Sequence, residues 1–146
     1  MKSNPVLWTL VCGTVLLVFV GCSGSGGEDR QATAKVHGKV TFNGEPLPTG
    51  RIHFVPTGGG PTASGEIGED GTYRLSTYGN GDGAVVGSHK VMISAERDMS
   101  NVLPEDPEAS QEPSLIPVKY NSEQSSGLTA DVTEDGNEID FDLTGK

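Results

Sequence analysis

Apolar residues in this chain recur mostly at every second position. Across 35–42, Val36, Gly38, Val40 and Phe42 fall on one side and Lys35, His37, Lys39 and Thr41 on the other, the period-two signature of a half-buried strand. Asn43-Gly44 tolerates positive φ, and Pro46 and Pro48 prevent the strand from continuing. The same alternation predicts strands at 51–55, with Ile52 and Phe54 inward, at 72–77, with Tyr73 and Leu75 inward, and at 87–95, where His89 shares a face with Val91 and Ile93. It recurs at 128–132 through Leu128, Ala130 and Val132, and at 138–143, where Ile139, Phe141 and Leu143 alternate with Glu138, Asp140 and Asp142. A further strand at 63–68 leads through Glu69-Asp70-Gly71 into 72–77, a hairpin closed by an Asp-Gly turn.

Seven short strands at regular spacing, with no convincing helix, predict an all-β fold: a seven-stranded Greek-key β-sandwich whose two inner faces pack about 10 Å apart. The chain's 146 residues have room for one domain, and its 21 Gly and 9 Pro suit a turn-rich β protein and not a helical bundle. One segment breaks the rhythm. Residues 96–117 show no alternation and hold Pro104, Pro107, Pro113 and Pro117 with six acidic residues. Long loops without structure are uncommon and are either binding loops or solvated insertions.

The N-terminus reads differently. Lys2 is followed by an apolar run from Val6 to Val20, about 22 Å of helix against the roughly 30 Å needed to cross a bilayer. This is the pattern of a signal peptide. The run ends at Val18-Phe19-Val20-Gly21-Cys22, which resembles the bacterial lipobox, with Phe19 in place of the usual Leu. The resemblance implies cleavage before Cys22 and acylation of that residue. Ser23 follows where Asp would resemble an inner-membrane retention signal, so an outer-membrane destination is favoured. Residues 23–30, Ser-Gly-Ser-Gly-Gly-Glu-Asp-Arg, have the composition of a tether.

Cysteine usage agrees with this, because Cys12 would lie in the removed segment and Cys22 would carry the lipid, leaving no thiol for a disulfide or for catalysis. The formal charge is −10 over the whole chain, and loss of Lys2 moves it to about −11. Phosphate backbones are repelled by such a surface, which argues against nucleic-acid binding. Attachment to a membrane then depends on the lipid, and multiple acyl chains suffice for it.

Three segments in order, Gly38-Lys39-Val40-Thr41-Phe42-Asn43-Gly44-Glu45-Pro46-Leu47, Glu69-Asp70-Gly71-Thr72-Tyr73-Arg74-Leu75 and Val86-Gly87-Ser88-His89-Lys90-Val91-Met92-Ile93, resemble the carboxypeptidase regulatory-like domain. His89 stands where that family prefers Tyr. The tail, with Ile116-Pro117-Val118-Lys119-Tyr120 and Phe141-Asp142-Leu143, is similar to that of bacterial lipoproteins carrying this domain. The resemblance implies a transthyretin-like sandwich and an accessory, exported, non-catalytic module. Its motifs are turn and core residues, which bear on fold and hardly on function.

Candidate chemistry is sparse. If the strands at 35–42 and 51–55 pair Phe42 with Ile52, Thr41 faces His53, and His37 lies four residues, about 13 Å, along the strand. That is too far for two ligands of one zinc. His89 reads as a hydrogen-bonded core histidine or, alternatively, as a titratable switch. Asp140 and Asp142 share an outward face about 7 Å apart, either a weak calcium-binding pair completed by a neighbouring strand or a solvated acidic edge. No EF-hand spacing, Gly-x-Ser-x-Gly elbow, Walker loop or dinucleotide loop occurs. The 5-hydroxyisourate hydrolases, which share the transthyretin-like fold, end in Tyr-Arg-Gly-Ser, whereas this chain ends in Leu143-Thr144-Gly145-Lys146.

The expectation is thus a signal peptide over 1–21, a tether over 22–34 and a carboxypeptidase regulatory-like sandwich over 35–146. The sequence favours a lipid-anchored envelope module, not an enzyme, without cofactor or metal. Its partner would be an envelope protein or glycan. The alternative is a small-ligand or calcium-binding accessory protein using the 96–117 loop and the acidic edge.

Overall fold

The computed structural model describes residues 30–101, 103–105, 107 and 113–145. Among them the fold is all-β, with curled, mainly antiparallel sheets and no α-helix. The strands are β1 (Thr33–Ala34), β2 (Val36–Phe42), β3 (Glu45–Pro46), β4 (Gly50–Pro56), β5 (Ala63–Ile67), β6 (Thr72–Arg74), β7 (Ala84–Val85), β8 (Gly87–Ser94), β9 (Leu128–Val132), β10 (Asn137–Glu138) and β11 (Phe141–Leu143). A 3-10 helix covers Val118–Asn121. Seven of the eleven strands have three residues or more.

The main sheet runs in the order β10-β2-β6-β5-β4-β8-β9, and β3 and β11 also pair with β2. β10 and β11 lie parallel to β2, one after the other along its length. β1 and β7 form a separate pair. In the order of pairing β4 is three strands from β2, yet the Phe54 ring on β4 reaches Phe141 on β11 at 6.0 Å and Tyr73 on β6 at 6.4 Å. The sheet therefore curls until its two ends share one core. Phe54, Leu47, Ile52, Leu75, Ile93 and Leu143 are its largest fully buried apolar side chains.

Period-two patterning survives in every long strand. Val36, Gly38 and Val40 are buried while Lys35, His37 and Lys39 are exposed, and His89, Val91 and Ile93 are buried together. The β5–β6 hairpin closes as its sequence predicts, with Gly68 N donating to the Thr72 carbonyl and Gly71 at φ 80°.

Three expectations need correction. β2 does not pair with β4, because β6 and β5 lie between them, so Phe42 faces Glu45 and not Ile52. The chain after β2 folds back on itself as β3 and then crosses to the far side of the sheet. Sequential strands are often neighbours, but a curled sheet allows this crossing. Second, Thr33 and Ala34, within the segment read as tether, pair with Val85 and Ala84, and Ala34 is buried. Third, the ends of 96–117 are built into the fold: Glu96 bridges Ser114, Leu115 N donates to the Ala95 carbonyl, and Ile116 is buried in the core.

The strand directions give the domain two poles. Residues 30–35, 56–62, 76–87 and 133–136 meet at one, since Pro56 pairs with His89, Gly87 with Val132 and Asn137 with Val36. Residues 43–50, 68–71 and 143–145 meet at the other, where Gly50 pairs with Ile67 and Leu143 with Phe42. The 95–127 segment leaves β8 at this second pole.

Candidate functional site

The outer face of β2 gathers polar side chains from three neighbouring strands. His37 pairs with Arg74 and Lys39 with Thr72 across β6, while Glu138 on β10 pairs with His37 on the other side. Because all of these positions alternate with core residues, the pleat presents them together to solvent. They border an open cleft of about 620 Å³ whose walls include His37, Lys39, Glu66, Arg74, Glu138 and Asp140. It adjoins a second hollow of about 450 Å³ that shares His37, Arg74 and Glu138 and extends to Lys35 and Asp135. The cleft presents interleaved donors and acceptors of both signs to solvent.

Asp140 and Asp142 both lie on this side, exposed, flanking β2. Each already has a partner. Asp140 Oδ1 accepts from Lys39 N at 2.7 Å, and Asp142 Oδ1 accepts from Thr41 Oγ1 at 2.8 Å. The neighbouring strand that a calcium ion would need contributes an amide and a hydroxyl hydrogen to these oxygens and no further carboxylate. Among the described residues, no three His, Cys, Asp or Glu side chains are grouped to hold a metal ion.

Beneath the cleft, Tyr73 Oη donates to the Ile139 carbonyl at 2.5 Å. Burial, assisted by the Asp140 charge, raises the phenol well above its ordinary range, so it stays a neutral donor.

The three histidines occupy different environments. His37 is exposed on the cleft, and His53 is half-buried on the outer face of β4, between Met92 and Ser64. Burial, with the Arg51 charge, lowers the His53 pKa. His89 is 1% exposed. Its Nδ1 meets the Gly87 carbonyl at 2.9 Å and its ring packs 5.7 Å from Phe54, but Nε2 has no partner. Burial lowers its pKa, against the opposing pull of the Gly87 carbonyl and Asp131.

The first pole holds an organised loop that the alternation of apolar residues does not mark. The Asp82 carboxylate accepts from Ser76 Oγ and from the amides of Thr77, Tyr78 and Gly79. Burial opposes ionisation, yet these donors together hold its pKa below the ordinary carboxylate value. The loop presents Tyr78, whose Oη accepts from Gln31 N at 2.9 Å and whose ring lies 5.2 Å from the Arg30 guanidinium. Val86 N donates to the Ala32 carbonyl. Residues 30–34 are therefore fastened along the loop and β7. The signal was present in Gly79-Asn80-Gly81-Asp82-Gly83, where Gly79, Asn80, Gly81 and Gly83 all have positive φ, a turn built around one acidic side chain.

The described part of the 95–127 segment leaves from the far pole and is tied back to the body. One tie is Tyr120, whose Oη accepts from Thr144 N at 3.1 Å and lies 3.2 Å from the Thr144 carbonyl. The lipid-attachment residue expected from sequence, Cys22, lies outside the described residues, as do the signal segment and most of the tether. Among the described residues no helix is long and apolar enough to cross a membrane. Compared with family models, curated proteins and solved structures, the chain matches none.

Proposed function

We propose that this chain is a lipid-anchored protein of the cell envelope, attached through Cys22, with the outer membrane favoured over the inner. Its domain is read as a seven-stranded, Greek-key, transthyretin-like sandwich of the carboxypeptidase regulatory-like type. It acts as a non-catalytic structural or binding module toward an envelope protein or glycan.

The observation that carries the reading is the succession along the chain: an apolar run ending at Gly21-Cys22, a Gly/Ser-rich stretch, and then a β domain whose first strand begins at Thr33. The three segments that carry the family resemblance supply buried positions, among them Val40, Leu47, Tyr73, Leu75, Val91 and Ile93. That supports the fold reading, because a motif of core and turn residues is expected to lie in the core. A second reading, a small-ligand accessory protein, is favoured by the open polar cleft beside β2. Calcium is the weaker ligand, since Asp140 and Asp142 are engaged by Lys39 and Thr41.

Mass spectrometry of the membrane-extracted protein, combined with cross-linking in intact cells, tests the proposal. A diacylated N-terminal peptide beginning at Cys22 and one dominant cross-linked partner are expected. A peptide beginning at Met1, or a protein released without lipid, would overturn it.

A further inference from the structure

We infer that the domain stands on the membrane by the pole from which residues 30–34 depart, with the lipid headgroup surface as the occupant of that pole, so that the opposite pole points away from the bilayer. The inference rests on the anchored reading of Cys22 and adds an orientation to it.

Three observations carry it. The chain's exit is fixed, because Arg30 and Gln31 are held on Tyr78, Ala32 on Val86, and Thr33–Ala34 on β7. Only residues 23–29 separate this fastened arm from Cys22.

The second observation is one of length. The span from Cys22 to Arg30 reaches at most about 28 Å when fully extended, and a Gly/Ser-rich stretch of that length has a root-mean-square span of roughly 16 Å. The eight-residue strand β8, which runs from one pole toward the other, is about 26 Å long. Bringing the far pole to the bilayer would stretch the span along the whole domain, close to its limit. Standing on the near pole needs no such extension.

The third observation is charge. The far pole and the described part of the 95–127 segment carry Glu45, Glu69, Asp70, Glu96, Asp98, Glu105 and Glu123 against Arg97 and Lys119. At the near pole Arg30 and Lys35 stand against Asp82, Glu134 and Asp135. The β4–β5 loop there, 57–62, has no charged residue. A negatively charged leaflet repels the far pole more strongly than the near one. The exposed Val118 lies in the 95–127 segment, so the apolar contact it offers is turned outward with that segment.

The test uses the full-length lipidated protein in vesicles of phosphatidylethanolamine and phosphatidylglycerol that contain a headgroup-labelled quencher lipid. The body of the domain has no cysteine, so a fluorophore attaches at one introduced site: Gly58→Cys at the near pole, where a Cβ meets nothing within 4 Å, or Glu69→Cys at the far pole. Quenching several-fold stronger at position 58 than at 69 is expected, and Tyr78→Ala, which loosens the arm, should narrow the ratio. Flotation with the vesicles and equal or reversed quenching overturns the orientation alone. Failure to float, with an unmodified Cys22 by mass spectrometry, overturns the anchor and the orientation with it.

Discussion

The Tyr73 hydroxyl and the Ile139 carbonyl meet at 2.5 Å across the backbone of Gly38. Gly38 pairs with Tyr73 on β6, and a Cβ placed on it would overlap the Ile139 carbonyl oxygen. The chain between β10 and β11 can therefore press against β2 only where β2 has no side chain. That close approach turns the Ile139 carbonyl inward, off the ladder, and the buried phenol satisfies it. Asp140, the next residue, accepts from Lys39 N, so the crossing is tied on both sides of the sheet.

Two substitutions test this crossing. Tyr73→Phe leaves the Ile139 carbonyl without its donor and is expected to cost about 1 to 2 kcal/mol in denaturant unfolding. Gly38→Ala forces the last strands away from β2 and is expected to cost about 3 kcal/mol or more. A Gly38→Ala protein as stable as the parent would show that the crossing is not packed as described.

His89 gives the fold an acid sensitivity. Its pKa is lowered in the folded state from the ordinary 6.5, chiefly by burial, so the unfolded chain binds the proton more readily. The stability present above pH 6.5 is then lost as the pH falls toward the lowered value, by about 1.4 kcal/mol for each unit of lowering. His53, lowered in the same direction, adds to the slope. His89→Phe keeps a ring against Phe54 and removes the titration. Melting temperatures measured from neutral to mildly acidic pH should fall less steeply in this variant, and an unchanged slope would refute the assignment.

Asp82 titrates in a lower range. Its folded pKa lies below the ordinary 3.8, so its stabilisation is present above that value and disappears as the pH falls through the folded pKa. Asp82→Ala removes the acceptor of three amides and one hydroxyl and is expected to cost about 1 to 2 kcal/mol after solvent screening. Because the same loop presents Tyr78, hydrogen exchange at the amides of Gln31 and Val86 should accelerate in the variant. Unaltered exchange there would mean that the arm is held by β1 and β7 alone.

The acidic edge is expected to ignore calcium. Melting in EDTA and in millimolar Ca²⁺ should coincide, since Asp140 and Asp142 are turned to Lys39 N and Thr41 Oγ1. A rise in melting temperature with calcium that vanishes in both Asp140→Ala and Asp142→Ala would reinstate these residues as ligands.

Much of the strand architecture was legible in the sequence because alternation is a local signal: a residue's face depends on its parity along the strand and not on what lies opposite. Val40, Tyr73, Val91 and Leu143 are buried as their positions predict. The candidate site was less legible. Asp140 and Asp142 do share a face, but whether their oxygens are free depends on Lys39 and Thr41, about a hundred positions away in the chain. The same holds for the cleft, which brings His37, Arg74 and Glu138 together from three strands.

By itself, then, the sequence determined the β character of the chain, the inward side of the longer strands and the Asp-Gly hairpin. These follow from side-chain polarity and from the few residues that tolerate a turn, both of which act within a handful of positions. Tertiary structure alone decided that β6 and β5 stand between β2 and β4, that Gly38 makes room for Ile139, and that Arg30 and Gln31 are fastened to Tyr78. Strand order depends on how the sheet curls to bury one common core, and many orders satisfy the same alternation. The choice among them is made by packing and hydrogen bonding between residues far apart in the chain.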